Sequence, residues 1–90
     1  MEDKVTEIQI IPVKPKDGLV GFANFVFDGS FYFASIGIYT RLHGGYRLTY
    51  PIRKTLHGDM PLFHPINKGT ANLIEQAIIK QFERLHGEEE

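Results

Sequence analysis

Leu19-Val20-Gly21-Phe22-Ala23-Asn24-Phe25-Val26-Phe27-Asp28-Gly29-Ser30-Phe31-Tyr32-Phe33-Ala34-Ser35-Ile36-Gly37-Ile38-Tyr39 holds two apolar, aromatic-rich runs on either side of Asp28-Gly29. Asp-Gly between such runs is a hairpin signal, because both residues tolerate the positive φ that a tight strand reversal needs. The stretch therefore reads as two antiparallel strands, Leu19 to Phe27 and Phe31 to Tyr39. In the second, period-two alternation sets Phe31 and Phe33 on one face and Ala34, Ile36 and Ile38 on the other. The first of the pair is apolar in both phases, so both faces of the sheet need cover.

Upstream, Glu7 to Val13 reads as a strand in which Pro12 argues for a sheet edge or a bulge. Lys14-Pro15-Lys16-Asp17-Gly18 reads as a turn. Downstream, His43-Gly44-Gly45 is a second turn, and Tyr46 to Ile52 alternates strictly. Tyr46, Leu48, Tyr50 and Ile52 face one way; Arg47, Thr49, Pro51 and Arg53 face the other. Arg47 and Arg53 would then share a face about 20 Å apart, at roughly 3.3 Å per residue. His57-Gly58-Asp59 is a further turn, with Met60 to Phe63 as a short fifth strand.

One helix follows. Asn67 is its N-cap, Ala71, Ile74, Ile78, Phe82 and Leu85 form its apolar stripe, and Gly87 ends it. The reading is α+β: an antiparallel meander sheet of four to five strands, then one C-terminal helix. It occupies a single domain over 1–90, with an ordered core over 5–86 and an acidic tail over 87–90.

Composition narrows the functional classes. The 90 residues include seven Phe and four Tyr but no Trp. Each buried aromatic removes roughly 150–250 Å² from water. One helix on one small sheet hardly covers that load, which points to a homodimer. The absence of Cys excludes disulfides, thiolate catalysis and cysteine-type zinc sites. The charged start, Met1-Glu2-Asp3-Lys4, does not suit a secretory signal, and no apolar run reaches membrane-spanning length. A cytoplasmic protein with no membrane association is expected.

Charge is separated along the chain. Net charge is −1, yet residues 30 to 74 hold Arg41, Arg47, Arg53, Lys54 and Lys68 against one acid, Asp59. No Asp or Glu falls between Asp28 and Asp59. A positive strip of this kind can follow a phosphate backbone. Within it Arg53-Lys54-Thr55 offers a fork of donors, a point charge and a hydroxyl. Tyr32, Tyr39, Tyr46 and Tyr50 read either as base-stacking platforms or as sheet core. His57, Asp59 and His64 follow no standard metal spacing, so no metal or other cofactor is expected. Ser30 and Ser35 lack a nucleophile-elbow context, and Gly44-Gly45 leads into a strand rather than a helix. No catalytic residue and no small-molecule substrate are expected.

The run from Phe31 to Leu85 resembles the SpoVG family, the stage V sporulation protein G or septation protein G group of bacteria. Tyr50-Pro51-Ile52-Arg53-Lys54-Thr55 is similar to that family's Met/Tyr-Pro-Ser-basic-basic-Thr segment. Gly58 matches the following turn, His64-Pro65-Ile66-Asn67 its His-Pro-Ile-Asn, and Phe82-Glu83-Arg84-Leu85 its aromatic-x-Arg-Leu helix end. The pattern departs at Ile52, at His57 to Pro61, and in the Lys14 to Gly18 loop, which lacks the family's nearby arginines. The resemblance implies a small dimeric regulator that binds DNA, RNA or both and influences gene expression, septation and sporulation. It places phosphate contacts at Arg53, Lys54 and Thr55; Arg47 and Arg41 join them from the charge pattern. The rival expectation is a protein–protein adaptor acting on division or sporulation machinery without nucleic acid.

Overall fold

The computed structural model describes residues 4–87, so the acidic Glu88-Glu89-Glu90 tail lies outside the described residues. Four strands form one antiparallel sheet in chain order: β1 (Val5–Lys16), β2 (Leu19–Phe27), β3 (Phe31–Thr40) and β4 (Tyr46–Thr49). Two more, β5 (Ile52–Thr55) and β6 (Gly58–Pro61), pair only with each other, and α1 (Lys68–Gly87) follows. The architecture is the expected α+β meander with a C-terminal helix. β1 extends to Lys16, leaving only Asp17-Gly18 as the turn, both at positive φ. Pro12 stands in β1, at the sheet edge, where its missing N–H costs no central ladder bond.

The inner face is assembled by bulges. Ala23 pairs with Ile36 and Phe25 with Phe33, so the ladder skips between them. Ser35 takes φ 64°, and its N–H donates to Asn24 Oδ1 at 3.0 Å. That extra residue reverses the side-chain phase. Phe33, expected opposite Ile36 and Ile38, instead joins them on the core side. A matching irregularity in β1, with Glu7 at φ 51°, lets Val5, Ile8 and Ile10 all pack inward.

Helix α1 closes this face. Ile74, Ile78 and Phe82 are buried against Ala23, Phe25, Ile36 and Ile38. Phe82 meets the Tyr46 ring edge-on at 5.0 Å, and a Cβ on Gly21 would stand 3.4 Å from Phe82, close to the limit of contact. Asn67 caps the helix as expected: its Oδ1 accepts the Thr70 N–H at 2.8 Å. Leu85, assigned to the apolar stripe, is 48 % exposed, because the stripe overruns the sheet at its last turn.

The fourth strand is shorter than its alternation suggests. Tyr46 to Thr49 pair with β3, but the ladder stops at Tyr50-Pro51. Proline has no N–H to continue it. The chain turns out of the sheet there, and Leu62 N–H donates to Pro51 O at 3.1 Å, closing the base of the β5–β6 hairpin. Arg47 and Arg53 thus belong to different sheets and share no strand face.

Candidate nucleic-acid interface

The β5–β6 hairpin is an arm. All eight of its strand residues are exposed, and it pairs with no strand of the main sheet. Its register is Ile52 with Pro61, Arg53 with Met60, Lys54 with Asp59 and Thr55 with Gly58. Leu56 and His57 make the tip. Neither is at positive φ; Gly58 supplies the reversal at φ 110°, a conformation that disfavours any residue with a Cβ.

Thr55 is committed to this tip. Its hydroxyl donates to Gly58 O at 2.6 Å and accepts the His57 N–H at 3.2 Å. The oxygen expected to meet phosphate therefore shapes the turn that presents the neighbouring cations. Arg53 and Lys54 form no ion pair or side-chain hydrogen bond among the described residues. Both are exposed, so an incoming anion can reach them from solvent.

The other two cations are engaged elsewhere. Arg41 Nε donates to Tyr46 O at 2.9 Å, and its Nη2 meets Glu75 Oε1 at 3.2 Å. It ties the β3–β4 turn to the helix. Arg47 lies over the Tyr39 ring at 4.9 Å on the outer face of the sheet, away from the helix. The structure brings Arg53, Lys54 and Thr55 together on the arm and leaves Arg41 and Arg47 on the body.

The tyrosines divide as well. Tyr46 and Tyr50 pack against the core, whereas Tyr32 is 65 % exposed. Burial, reinforced by the nearby Glu75 carboxylate, pushes the Tyr50 hydroxyl up to about 12. His64 Nδ1 donates to Pro65 O at 3.1 Å, within the loop that leads into α1. Among the described residues no three His, Asp or Glu side chains gather as a metal site. None of their helices is long and apolar enough to cross a membrane.

Two features of the arm escape a linear reading: that it is separate, and that Asp59 stands across from Lys54. Pro51 and Pro61 bracketing a Thr-Leu-His-Gly turn carry the signal for the first. The second requires the register.

Comparison with known proteins gives a family match over most of the chain. The SpoVG family profile matches residues 3–84. Three relatives carry names that tie them to SpoVG and septation. The Clostridium acetobutylicum protein is 27 % identical over 88 residues, covering 97 % of this chain and 92 % of its own. That of Caldanaerobacter subterraneus subsp. tengcongensis is 26 % identical over 82 residues, covering 90 % and 89 %. That of a Thermoanaerobacter species is 25 % identical over 87 residues, covering 96 % and 94 %. With nearly its whole length matched, the chain belongs to the SpoVG family.

Proposed function

We propose that this protein is a nucleic-acid-binding regulator of the SpoVG type, acting in the cytoplasm as a homodimer and touching phosphates through the β5–β6 arm. The observation that carries this reading is the adjacent Arg53 and Lys54, unpaired and exposed on a hairpin held outside the main sheet. Thr55 shapes the tip, Arg47 offers a second positive site on the body, and Arg41 braces the β3–β4 turn. Dimerisation doubles the arms and strengthens binding through multivalency.

The test is fluorescence anisotropy with labelled duplex DNA and single-stranded RNA over a salt series. Binding should weaken steeply with salt, because each phosphate contact releases counterions. Arg53→Ala with Lys54→Ala should lower affinity and flatten that slope; an unchanged double variant rejects the arm.

Apolar exposure motivates the adaptor reading. Leu56 is fully exposed, and Met60, Leu62 and Ile66 are also open to solvent. Exposed apolar side chains of this kind suit a protein partner. A stoichiometric protein partner that survives nuclease treatment, with no nucleic-acid binding by the purified chain, would favour it.

A further inference from the structure

Arg53 and Lys54 are neighbours in sequence but not in direction. Successive strand residues point to opposite faces, so on a two-stranded ribbon one cation lies on each side. The register makes the two faces explicit. Arg53 and Thr55 stand with Met60 and Gly58; Lys54 and Ile52 stand with Asp59 and Pro61. A ligand that meets one face flat can engage only one of the two cations.

We infer that the arm enters the major groove of duplex DNA tip-first, with Arg53 and Lys54 reaching the phosphate walls on opposite sides and Asp59 weakening the Lys54 contact. This inference rests on the nucleic-acid reading and adds to it the kind of duplex, the pose and a tuning residue.

Dimensions favour this pose. The B-form major groove is about 12 Å wide and about 8.5 Å deep, and it admits a two-stranded β-ribbon. Four residues per strand give the arm a reach of about 13 Å. With Leu56 at the groove floor, Lys54 stands about 7 Å and Arg53 about 10 Å back along the strand, level with the groove walls. Leu56 and His57 then face base edges, where an apolar side chain can meet a thymine methyl. The A-form major groove of duplex RNA is too narrow for such entry, and a single strand offers no second wall.

Asp59 is the sole acid between Asp28 and Glu75, and the ladder sets it beside Lys54 rather than Arg53. Its carboxylate would meet the same phosphates that Lys54 attracts. Repulsion at that wall, together with competition for the ammonium, makes it a brake on one side of the ribbon only.

The experiment measures salt-dependent binding of Arg53→Ala, Lys54→Ala and Asp59→Asn to one sequence as duplex DNA, duplex RNA and single-stranded DNA. Both alanine variants should lose affinity for duplex DNA, each reducing the salt slope by about 0.9, one phosphate's worth. Asp59→Asn should tighten binding about two- to fivefold, the range of an exposed charge pair, and should do so less in a Lys54→Ala background than in an Arg53→Ala background. Circular dichroism of each variant checks that the sheet is intact. If only one alanine variant changes the slope, the ribbon lies flat and the pose is wrong. Equal affinity for duplex RNA or for the single strand also overturns it. If Asp59→Asn has the same effect with and without Lys54, the brake is general and its assignment to Lys54 fails. In all these outcomes the broader reading stands, provided the Arg53/Lys54 double variant loses binding; if that variant binds normally, both fall.

Discussion

At the scale of single residues, the same side-chain type serves different ends according to what lies beside it. Thr55 looks like part of a phosphate-binding triplet, but its hydroxyl already has two backbone partners at the arm tip. Thr55→Ala should therefore loosen the arm and weaken nucleic-acid binding without changing the salt slope, whereas Thr55→Ser should behave as the parent. Parallel anisotropy series on the two variants check this; a slope that falls in Thr55→Ala would place the hydroxyl on phosphate after all. Asn24 matters for a different reason. Its Oδ1 holds the Ser35 N–H in the bulge that turns Phe33 inward. Asn24→Ala should cost about 0.5–1 kcal/mol, read from urea denaturation, because water can replace the lost acceptor at the exposed Ser35 amide but does not hold the bulge as the side chain does. The bulge was not legible in sequence. Alternation counts every residue as one step, and nothing in Phe33-Ala34-Ser35-Ile36 marks where the step fails.

Among the elements, legibility followed the strength of local chemistry. The Asp28-Gly29 hairpin and the Asn67 cap could be read directly, since turn and cap geometry depend on the residues that make them. β4 ends earlier than its alternation predicts. Tyr46 to Ile52 alternates without a break, and only Pro51 indicates that the ladder stops. The consequence for the site was large: one long strand would have aligned Arg47 with Arg53, whereas the break creates the arm. Tyr50, at this break, carries a testable signature. Its hydroxyl is pushed up to about 12 by burial and by Glu75. A raised folded-state value means that the neutral form is favoured in the fold. The associated stability is full below about pH 10, the ordinary tyrosine value, and is lost as pH rises through about 12. Denaturation midpoints taken between pH 9 and 12 should fall more steeply for the parent than for Tyr50→Phe; parallel curves would remove Tyr50 as the cause.

For the whole molecule, the question is what covers the outer face of the sheet. The helix protects one side, while Ile11, Phe22, Val26 and Tyr32 lie on the other; Ile11 is 44 % exposed. The aromatic load visible in the composition is thus partly unburied within one chain, which is the physical motive for proposing a homodimer. Sedimentation velocity should give a two-chain particle. Ile11→Lys with Tyr32→Lys should shift it to one chain with an unchanged far-ultraviolet spectrum; a parent that sediments as one chain would oppose the dimer. Part of the positive run along the sequence is presented on one exposed element, since Arg53 and Lys54 stand on the arm with no ion pair among the described residues. The most direct test of the arm as the binding element is a backbone amide NMR titration with duplex DNA. The account predicts that the largest shifts fall between Ile52 and Pro61 and that Arg53 and Lys54 both respond. Shifts concentrated on α1 or on the outer sheet face, with the arm unmoved, would contradict it.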